Sequence, residues 1–167
     1  MKEPVLVIIK PDGINQPLVG HIFTQFAKAR LKIVAMQILK VPKHLAEKHY
    51  IHLRNRPFYK QVIEYMIGMY HQEKNVIAIV YYGEDAIQKC RRIAGATFPT
   101  EADPKSIRGR FGKISKKAGV ENVVHVSSTS EEAEREIKLW FDPSDILVKL
   151  YPTKIQTTKV HKEKVWA

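Results

Sequence analysis

The segment that organises this sequence runs from Asn122 to Phe141 and reads NVVHVSSTSEEAEREIKLWF. It begins as a short apolar strand whose titratable residue is His125, and it continues through four hydroxyl residues at 127–130 into an acidic stretch. Hydroxyl oxygens at such a turn accept hydrogen bonds from the unpaired N–H groups of a first helical turn, and carboxylates suit its positive dipole end. The pattern therefore predicts a strand, a turn and a capped helix.

The predicted helix has one apolar face, formed by Ala133, Ile137, Trp140 and Phe141. Glu136 flanks that face, so its carboxylate can point back toward the strand that carries His125. A carboxylate bonded to one imidazole nitrogen fixes the tautomer and leaves the other nitrogen free as a nucleophile. The alternative is a core histidine satisfied by a neighbour, and the strand and helix alone favour this alternative.

Length and composition indicate one compact domain. The chain has 167 residues with 44% hydrophobic content, and we expect a single domain over 1–167 with a core of about 4–141 and a C-terminal extension of about 142–167. The single cysteine, Cys90, excludes an intramolecular disulfide and fits a reducing compartment. Apolar runs are too short for a membrane span, and the N-terminus lacks the apolar segment of a secretion signal. We expect a cytoplasmic protein.

The formal net charge of +11 indicates an anionic partner, which can be nucleic acid, nucleotide or membrane. A basic solvated surface is the alternative. The clustered aromatic residues and glycines of an RNA-recognition-motif sheet are absent, so charge alone supports nucleic-acid binding only weakly.

Strands alternate with helices along the chain. The first strand, Pro4 to Ile9, is a continuous apolar run that ends at Lys10 and a predicted tight turn, Pro-Asp-Gly. Further strands are predicted over 31–41, 75–82 and 122–126, with helices over 18–30, 42–53, from 57, over 84–94 and from 130. This order predicts an α+β fold of the split β-α-β type, a four-stranded antiparallel sheet with helices on one face.

Residues 95–121 are predicted to be irregular, because prolines and glycines interrupt them. Loops of this length are usually functional or disordered, and this one carries Thr97, Arg108 and the basic run 113–117. This segment is therefore either a solvent-exposed loop without a function or a loop that binds phosphates. His44, Glu47, His49 and His52 lack the spacing of known helical zinc motifs, so no protein metal site is predicted.

Five motifs follow one another from Val5 to Phe141. They are Ile9-Lys10-Pro11-Asp12-Gly13, His49-Tyr50 with Arg56-Pro57-Phe58-Tyr59, Gly95-Ala96-Thr97 with Pro99, Ile107-Arg108-Gly109, and Asn122-Val-Val-His125 leading to Glu136-Ile137 and Trp140-Phe141. In this order they resemble the motifs of nucleoside diphosphate kinases. The resemblance implies a ferredoxin-like βαββαβ core with a long nucleotide-clamping loop and a C-terminal extension.

The resemblance also implies an activity, in which a nucleoside triphosphate, typically ATP, gives its terminal phosphoryl group to the pros nitrogen of His125 and a nucleoside diphosphate takes it away. Glu136 would orient the ring, and Lys10 would bind the transferred group with help from Tyr50. The remaining nucleotide contacts would come from Phe58 to the base, Arg91, Thr97 and Arg108 to the phosphates, and Asn122 to the sugar 3′-hydroxyl. The expected cofactor is Mg²⁺, carried by nucleotide phosphates.

Relatives of this kind assemble from dimers, so the resemblance implies a homo-oligomer, a tetramer or a hexamer. The expected partners are nucleoside triphosphates and diphosphates; no membrane is expected, and nucleic acid is possible but not required. A further possibility is that the basic tail from Lys154 to Lys164 and Trp166 docks on a neighbour.

Two residues depart from the family pattern, in which a small residue and then Ser-Asp follow the histidine. Val126 is bulkier and can crowd His125, and Ser128 removes a negative charge. The alternative function is therefore a catalytically weak homologue that acts as a nucleotide- or nucleic-acid-binding module. The presence of the histidine, Lys10 and both phosphate-binding arginines favours the enzyme.

Overall fold

Six strands and seven helices make up the part of the chain that the computed structural model describes, residues 1–15 and 17–155. The strands are β1 (Lys2–Ile9), β2 (Lys32–Lys40), β3 (Asn75–Glu84), β4 (Lys113–Ser115), β5 (Gly119–Glu121) and β6 (Val124–Val126). Four of them form one antiparallel sheet in the order β2-β3-β1-β6, and β4 pairs with β5 in a separate hairpin. The predicted antiparallel α+β fold is confirmed.

The helices are α1 (Pro11–Asn15), α2 (Val19–Ala27), α3 (Lys43–His49), α4 (Tyr59–Met66), α5 (Ala86–Ala94), α6 (Ile107–Phe111) and α7 (Ser130–Trp140). Short 3₁₀ turns occupy Ile51–Leu53, Pro99–Glu101 and Pro143–Asp145. Within the described ranges, the helices are too short or too polar to cross a membrane. The predicted docking of the basic tail concerns mainly residues 156–167, which lie outside the described residues.

The centre of the sheet is β1, because it pairs with β3 on one side and β6 on the other. Residues 5–9 are fully buried, and α5 and α7 pack against this strand. Each buried aliphatic side chain stabilises the fold by about 1.5–3 kcal/mol relative to an exposed one. The register sets Ile8 opposite His125, so the end of β1 and the following Lys10 lie beside the strand that carries the histidine.

The capped helix predicted after β6 is present as α7. Thr129 precedes its first turn, and the threonine hydroxyl accepts a hydrogen bond of 3.2 Å from the Glu132 N–H. This is the arrangement that satisfies an unpaired donor at a helix start. The apolar residues Ala133, Ile137 and Trp140 are buried, as the spacing predicts.

Two local predictions are wrong. Residues 95–121 are not irregular throughout, because they contain a 3₁₀ turn, α6 and the β4–β5 hairpin. Ser106 caps α6 by accepting a hydrogen bond from the Gly109 N–H, and Gly119 supplies the positive φ that closes the hairpin. The Pro-Asp-Gly turn after Lys10 continues into α1, whose first residue is a proline, a residue suited to that position.

Replacing Gly109 with alanine is expected to destabilise the fold. A Cβ there would lie 2.1 Å from the Asp103 carbonyl oxygen, a backbone atom that cannot move aside. We expect the free energy of unfolding to fall by about 1–3 kcal/mol, measured by urea denaturation. The control is Gly20→Ala in α2, where nothing lies within 4 Å. That variant is expected to gain up to about 1 kcal/mol, and equal stability of the two variants would contradict this packing.

Candidate active site

The histidine on β6 and the glutamate on α7 are joined by a hydrogen bond. His125 Nε2 lies 2.9 Å from Glu136 Oε2, where a turn of hydroxyl residues reverses the chain between the two elements. Because Nε2 is engaged, Nδ1 is the nitrogen left for chemistry. The His125 side chain keeps 15% of its surface exposed, so the ring is reachable from solvent.

The Glu136 carboxylate is fully buried and has two further partners. Ser127 Oγ donates to Oε2 at 2.7 Å, and Arg135 Nη2 lies 3.4 Å from Oε1. Burial opposes ionisation of this group, yet the His125 ring, the Ser127 hydroxyl and the Arg135 guanidinium together hold the pKa of the carboxyl below its usual value. Glu136 is therefore an anion that fixes the histidine tautomer.

Ser127 and Arg135 were not among the predicted site residues. Ser127 follows His125 by two positions, and alternate residues of a strand share a face, so its position in the sequence was a usable signal. It also accepts a hydrogen bond of 3.2 Å from the Leu6 N–H, which ties β1 to the same group.

His49 belongs to the His49-Tyr50 motif, but no role in the site was predicted for it. It is fully buried, with its ring 4.4 Å from that of His125 and 4.6 Å from that of Tyr50. Its Nδ1 accepts a hydrogen bond of 3.1 Å from Trp140 Nε1, and burial, with the nearby His125, lowers its pKa well below the usual value. His49 is therefore an uncharged ring that packs against the ring of His125.

The three buried groups also have the donor types of a metal site. One possible ligand atom each from His49, His125 and Glu136 lie within 4.8 Å of one another. The His49 Nδ1 and the Glu136 oxygens are already hydrogen-bonded, and two imidazoles with one carboxylate do not suit Mg²⁺, which prefers oxygen ligands. This cluster therefore does not fit a resident magnesium ion.

Lys10 emerges from the end of β1 into the same site. It is 6% exposed, and its Nζ donates a hydrogen bond of 2.7 Å to Asn122 Oδ1. Asn122 in turn donates from Nδ2 to the Thr97 carbonyl at 3.0 Å. Burial and the positive Arg108 lower the Lys10 pKa to about 7, although the Asp12 carboxylate opposes the shift. An anion placed beside Lys10 would therefore stabilise the protonated form of its side chain.

A strained backbone holds Asn122 in position. Val123 has a φ of +67°, in the left-handed region that a β-branched residue rarely adopts. Its carbonyl accepts a hydrogen bond of 2.8 Å from the Lys10 N–H, and its own N–H donates to Asp12 Oδ2 at 3.0 Å. Backbone strain of this kind persists only where the surrounding contacts hold the residue in place. Such strained residues are common at active sites.

Arg108 and Tyr50 complete the inner part of the site. Arg108 is almost buried and donates to the Gly95 carbonyl at 2.8 Å and to the Val124 carbonyl at 2.9 Å, so its guanidinium is fixed. The Tyr50 ring lies 6.3 Å from that of His125, and burial together with Glu136 raises its pKa far above the physiological range. Tyr50 is therefore a neutral hydroxyl donor.

The remaining predicted residues are more exposed. Arg91 lies in the last turn of α5; burial and the nearby charge of Arg91 lower the pKa of Arg108 to about 10. Thr97 is exposed after Gly95, and Phe58 is 49% exposed directly before α4. Among the described residues, the aromatic neighbours of the His125 ring are His49 and Tyr50, so Phe58 lies outside this inner group.

Known proteins resemble this chain in sequence and in fold. A family profile described as nucleoside diphosphate kinase matches residues 3–146. A protein of that name from Pyrococcus abyssi is 44% identical over 145 residues, which cover 87% of this chain and 87% of the relative. A protein of that name from Methanothermobacter thermautotrophicus is 40% identical over 144 residues, which cover 86% of this chain and 90% of the relative.

Solved structures show the same similarity. The nucleoside diphosphate kinase of Aquifex aeolicus superposes with a TM-score of 0.78 at 33% identity, over 87% of this chain and 99% of that chain. The enzyme from Borrelia burgdorferi, solved as a transition-state mimic with bound vanadate and ADP, superposes with a TM-score of 0.77 at 31% identity, over 89% and 92% of the two chains.

The pKa of Lys10 predicts how stability changes with pH. A lysine whose pKa is about 7 in the folded state and about 10.5 in the unfolded state destabilises the fold fully below pH 7 and progressively less as pH rises toward 10.5. Lys10→Met is therefore expected to be more stable than the wild type at neutral pH. This advantage should shrink by about 1.4 kcal/mol per pH unit above pH 7. Urea denaturation of both proteins across this range measures the difference, and a constant difference would contradict the lowered pKa.

Proposed function

The chain belongs to the nucleoside diphosphate kinase family, and on this premise we propose that it exchanges phosphoryl groups between nucleotides by way of a phosphohistidine on His125. It is a nucleotide kinase by family. The observation that carries the proposal is the 2.9 Å bond between His125 Nε2 and the buried Glu136 carboxylate, because it leaves Nδ1 unprotonated and free to attack.

In the first step, the lone pair of His125 Nδ1 attacks the terminal phosphorus of a nucleoside triphosphate. The bond from that phosphorus to the bridging oxygen breaks, and the nucleoside diphosphate leaves with the electron pair. The ring becomes positively charged as the new P–N bond forms. Glu136 stabilises this charge through the Nε2 proton, which stays on the ring.

In the second step, a terminal phosphate oxygen of another nucleoside diphosphate attacks the same phosphorus. The P–N bond breaks, its electrons return to Nδ1, and a new triphosphate leaves. Both steps develop charge on the same phosphoryl oxygens, so one set of cations serves both. Catalysis of this type depends on positioning and charge neutralisation more than on covalent machinery.

The nucleotide contacts follow from the placement of the polar groups. We propose that Lys10 and Tyr50 bind the transferred phosphoryl group, because the Lys10 ammonium is buried and the Tyr50 hydroxyl is a neutral donor beside His125. Asn122, which already bonds to Lys10, would receive the sugar 3′-hydroxyl. The other contacts would be Arg91, Thr97 and Arg108 to the phosphates and the exposed ring of Phe58 to the base, which tolerates any base.

Magnesium would arrive with the substrate. Asp12 is the carboxylate nearest to Lys10 along the described chain. It is 2% exposed and accepts a hydrogen bond from the Val123 N–H. Since the cluster around Glu136 does not suit Mg²⁺ either, we propose that the ion is held by nucleotide phosphates and water.

The placements of Val126 and Ser128 support the proposed activity. Val126 is 4% exposed, and strand alternation directs its side chain away from the face of His125. The Ser128 hydroxyl is bonded to Glu132 in the first turn of α7. These placements favour an active kinase over the alternative of a catalytically weak binding module.

We also propose that the chain self-associates through the edge strand β2. Among the described strands, β2 pairs with β3 alone, and the Leu147 N–H donates to the Val34 carbonyl at 2.9 Å. The strand exposes Ile33, Met36 and Ile38, the last with 68% of its surface accessible. Unprotected apolar edges of this kind pair readily with other chains. We propose that the chain forms a single domain over 1–167 and that this domain assembles into a homo-oligomer. A cytoplasmic location suits the free thiol of Cys90.

Labelling with γ-labelled ATP and magnesium tests the histidine relay. The wild type is expected to form an acid-labile, base-stable phosphoprotein, and GDP should remove the label as GTP. His125→Ala is expected to take up no label and to transfer none, while its affinity for nucleotide stays within about tenfold because the ring contributes chemistry more than binding. A wild-type protein that binds nucleotide yet takes up no label would favour the binding-module alternative.

The Glu136 carboxylate is tested separately, since it touches the ring and not the substrate. Glu136→Gln keeps the shape and an acceptor oxygen but loses the charge, so His125 phosphorylation is expected to slow by about 100-fold. Nucleotide affinity should be unchanged. Rapid-quench kinetics measure the rate, and a wild-type rate in this variant would remove Glu136 from the mechanism.

Substitution on β2 tests the oligomer. Ile38→Glu places a charge on the exposed edge strand and is expected to yield smaller species in light scattering at equal protein concentration. Met69→Glu, at a residue that is 61% exposed and lies outside β2, is the control and should keep the wild-type mass. Identical masses for the wild type and both variants would contradict assembly through β2.

A further inference from the structure

Two buried polar groups near Lys10 have no part in the proposed phosphoryl transfer. They are the hydroxyl of Tyr65, on α4, and the carboxylate of Asp12, on α1. Tyr65 is 3% exposed and Asp12 is 2% exposed. Burial of such groups is costly unless they are paired, and both of them pair with the backbone of the segment directly before His125.

The Tyr65 hydroxyl holds the backbone of Asn122. The Asn122 N–H donates a hydrogen bond of 3.2 Å to Tyr65 Oη, in the interior of the protein. The side chain of Asn122 has other partners, since its Oδ1 accepts from Lys10 and its Nδ2 donates to the Thr97 carbonyl. The bond to Tyr65 therefore fixes the backbone from which this side chain extends.

The Asp12 carboxylate holds the next residue, where the chain makes a strained turn. The Val123 N–H donates to Asp12 Oδ2 at 3.0 Å. Val123 has a φ of +67°, and the Val124 N–H donates to the Asn122 carbonyl at 2.6 Å. A bond of this span around a residue of positive φ is the pattern of the rare, strained form of the γ-turn. Such a turn persists only where outside contacts hold it, and Asp12 and Tyr65 supply contacts of this kind.

Asp12 also orients the Tyr65 hydroxyl. Burial and the charge of Asp12 raise the pKa of Tyr65 well above its usual value, so the hydroxyl keeps its proton. Within residues 1–15 and 17–155, Asp12 Oδ1 has no hydrogen-bond partner. The hydroxyl proton is therefore attracted toward this carboxylate, and the lone pairs of Tyr65 Oη are left for the Asn122 N–H.

The Tyr65 ring is fixed as well. The Lys10 ammonium lies 4.9 Å from the ring centroid, and the centroid of the His71 ring lies 6.0 Å from it. A cation at this distance from an aromatic face is attracted to it. One residue of α4 thus contacts both Lys10 and Asn122, the side chains to which the transferred phosphoryl group and the sugar are assigned.

We propose, on the basis of the proposed phosphoryl transfer, that Tyr65 is a positioning residue for the sugar 3′-hydroxyl of the nucleotide and that it acts through Asn122. Without the Tyr65 hydroxyl, the buried Asn122 N–H has lost its partner, and the strained turn can relax. The Asn122 side chain then leaves the position in which it meets the sugar. A displacement of about 1 Å remote from the chemistry can slow an enzyme by about 100-fold.

Labelling of the protein by three γ-labelled nucleotides tests the role of Tyr65. They are ATP, 2′-deoxy-ATP, which retains the 3′-hydroxyl, and 3′-deoxy-ATP, which lacks it. Tyr65→Phe keeps the ring beside Lys10 and removes the hydroxyl, so labelling by ATP and by 2′-deoxy-ATP should slow by about tenfold. Labelling by 3′-deoxy-ATP should slow by less than about threefold, because the contact that Tyr65 supports is already missing.

Equal slowing with all three nucleotides would show that Tyr65 has only a structural role and would overturn the proposal. Wild-type rates with all three would overturn it as well. The matched control is Tyr59→Phe, which removes a hydroxyl from the same helix, one that donates to the Glu47 carbonyl at 3.4 Å. This variant should keep the wild-type rate with each nucleotide. If it reproduces the pattern of Tyr65→Phe, a general change in α4 is the cause and the proposal is wrong.

A double-mutant cycle tests the route through Asn122. Asn122→Ala removes the side chain but keeps the backbone N–H that bonds to Tyr65. If Tyr65 acts through that side chain, adding Tyr65→Phe to Asn122→Ala should slow labelling by ATP by less than about twofold. A full tenfold effect of Tyr65→Phe in both backgrounds would show that the two residues act independently, which would overturn the proposal.

Equilibrium binding separates the role of Tyr65 from the proposed function. If the wild type takes up no label from ATP, the proposed phosphoryl transfer is wrong, and the dissociation constants of ADP and 3′-deoxy-ADP still test Tyr65. The wild type should bind ADP more tightly than 3′-deoxy-ADP, and Tyr65→Phe should reduce this preference by at least about fivefold. An unchanged preference would overturn the role of Tyr65, whether or not the wild type is labelled.

Discussion

The structure of the site depends on the buried carboxylate of Glu136. An ionised group without exposure is costly unless its oxygens are paired, and here His125, Ser127 and Arg135 supply the partners. These contacts fix the strand β6 against the helix α7, and they fix the histidine tautomer at the same time. Folding and chemistry therefore depend on the same set of hydrogen bonds.

Charged and neutral side chains surround the Glu136 carboxylate and the His125 ring. His125 bonds to Glu136, Arg108 bonds to the carbonyl of Val124 directly before it, and neutral His49 packs beside the ring. In the proposed reaction, a positive charge that develops on the ring would be stabilised by the carboxylate, and negative charge on the phosphoryl oxygens would be stabilised by the cations. Since the cations are buried and already oriented by carbonyl and amide partners, little rearrangement is needed when an anion arrives.

The central strand β1 connects the site to the rest of the fold. Residues 5–9 are fully buried at the centre of the sheet, and Lys10 follows them directly and bonds to Asn122. Rigid elements position side chains more accurately than loops do, and His125 likewise lies on a strand of this sheet.

Local sequence patterns were enough to predict the strand, turn and capped helix around His125 and the antiparallel α+β fold, because periodicity and capping are local. The tertiary structure decided what faces the reactive ring. His49 and Trp140 meet across 91 positions, and Ser127 joins Leu6 across 121. The β4–β5 hairpin likewise escaped prediction. Local patterns tell which face of an element is buried, but the partner on that face is set by packing between segments distant in the chain.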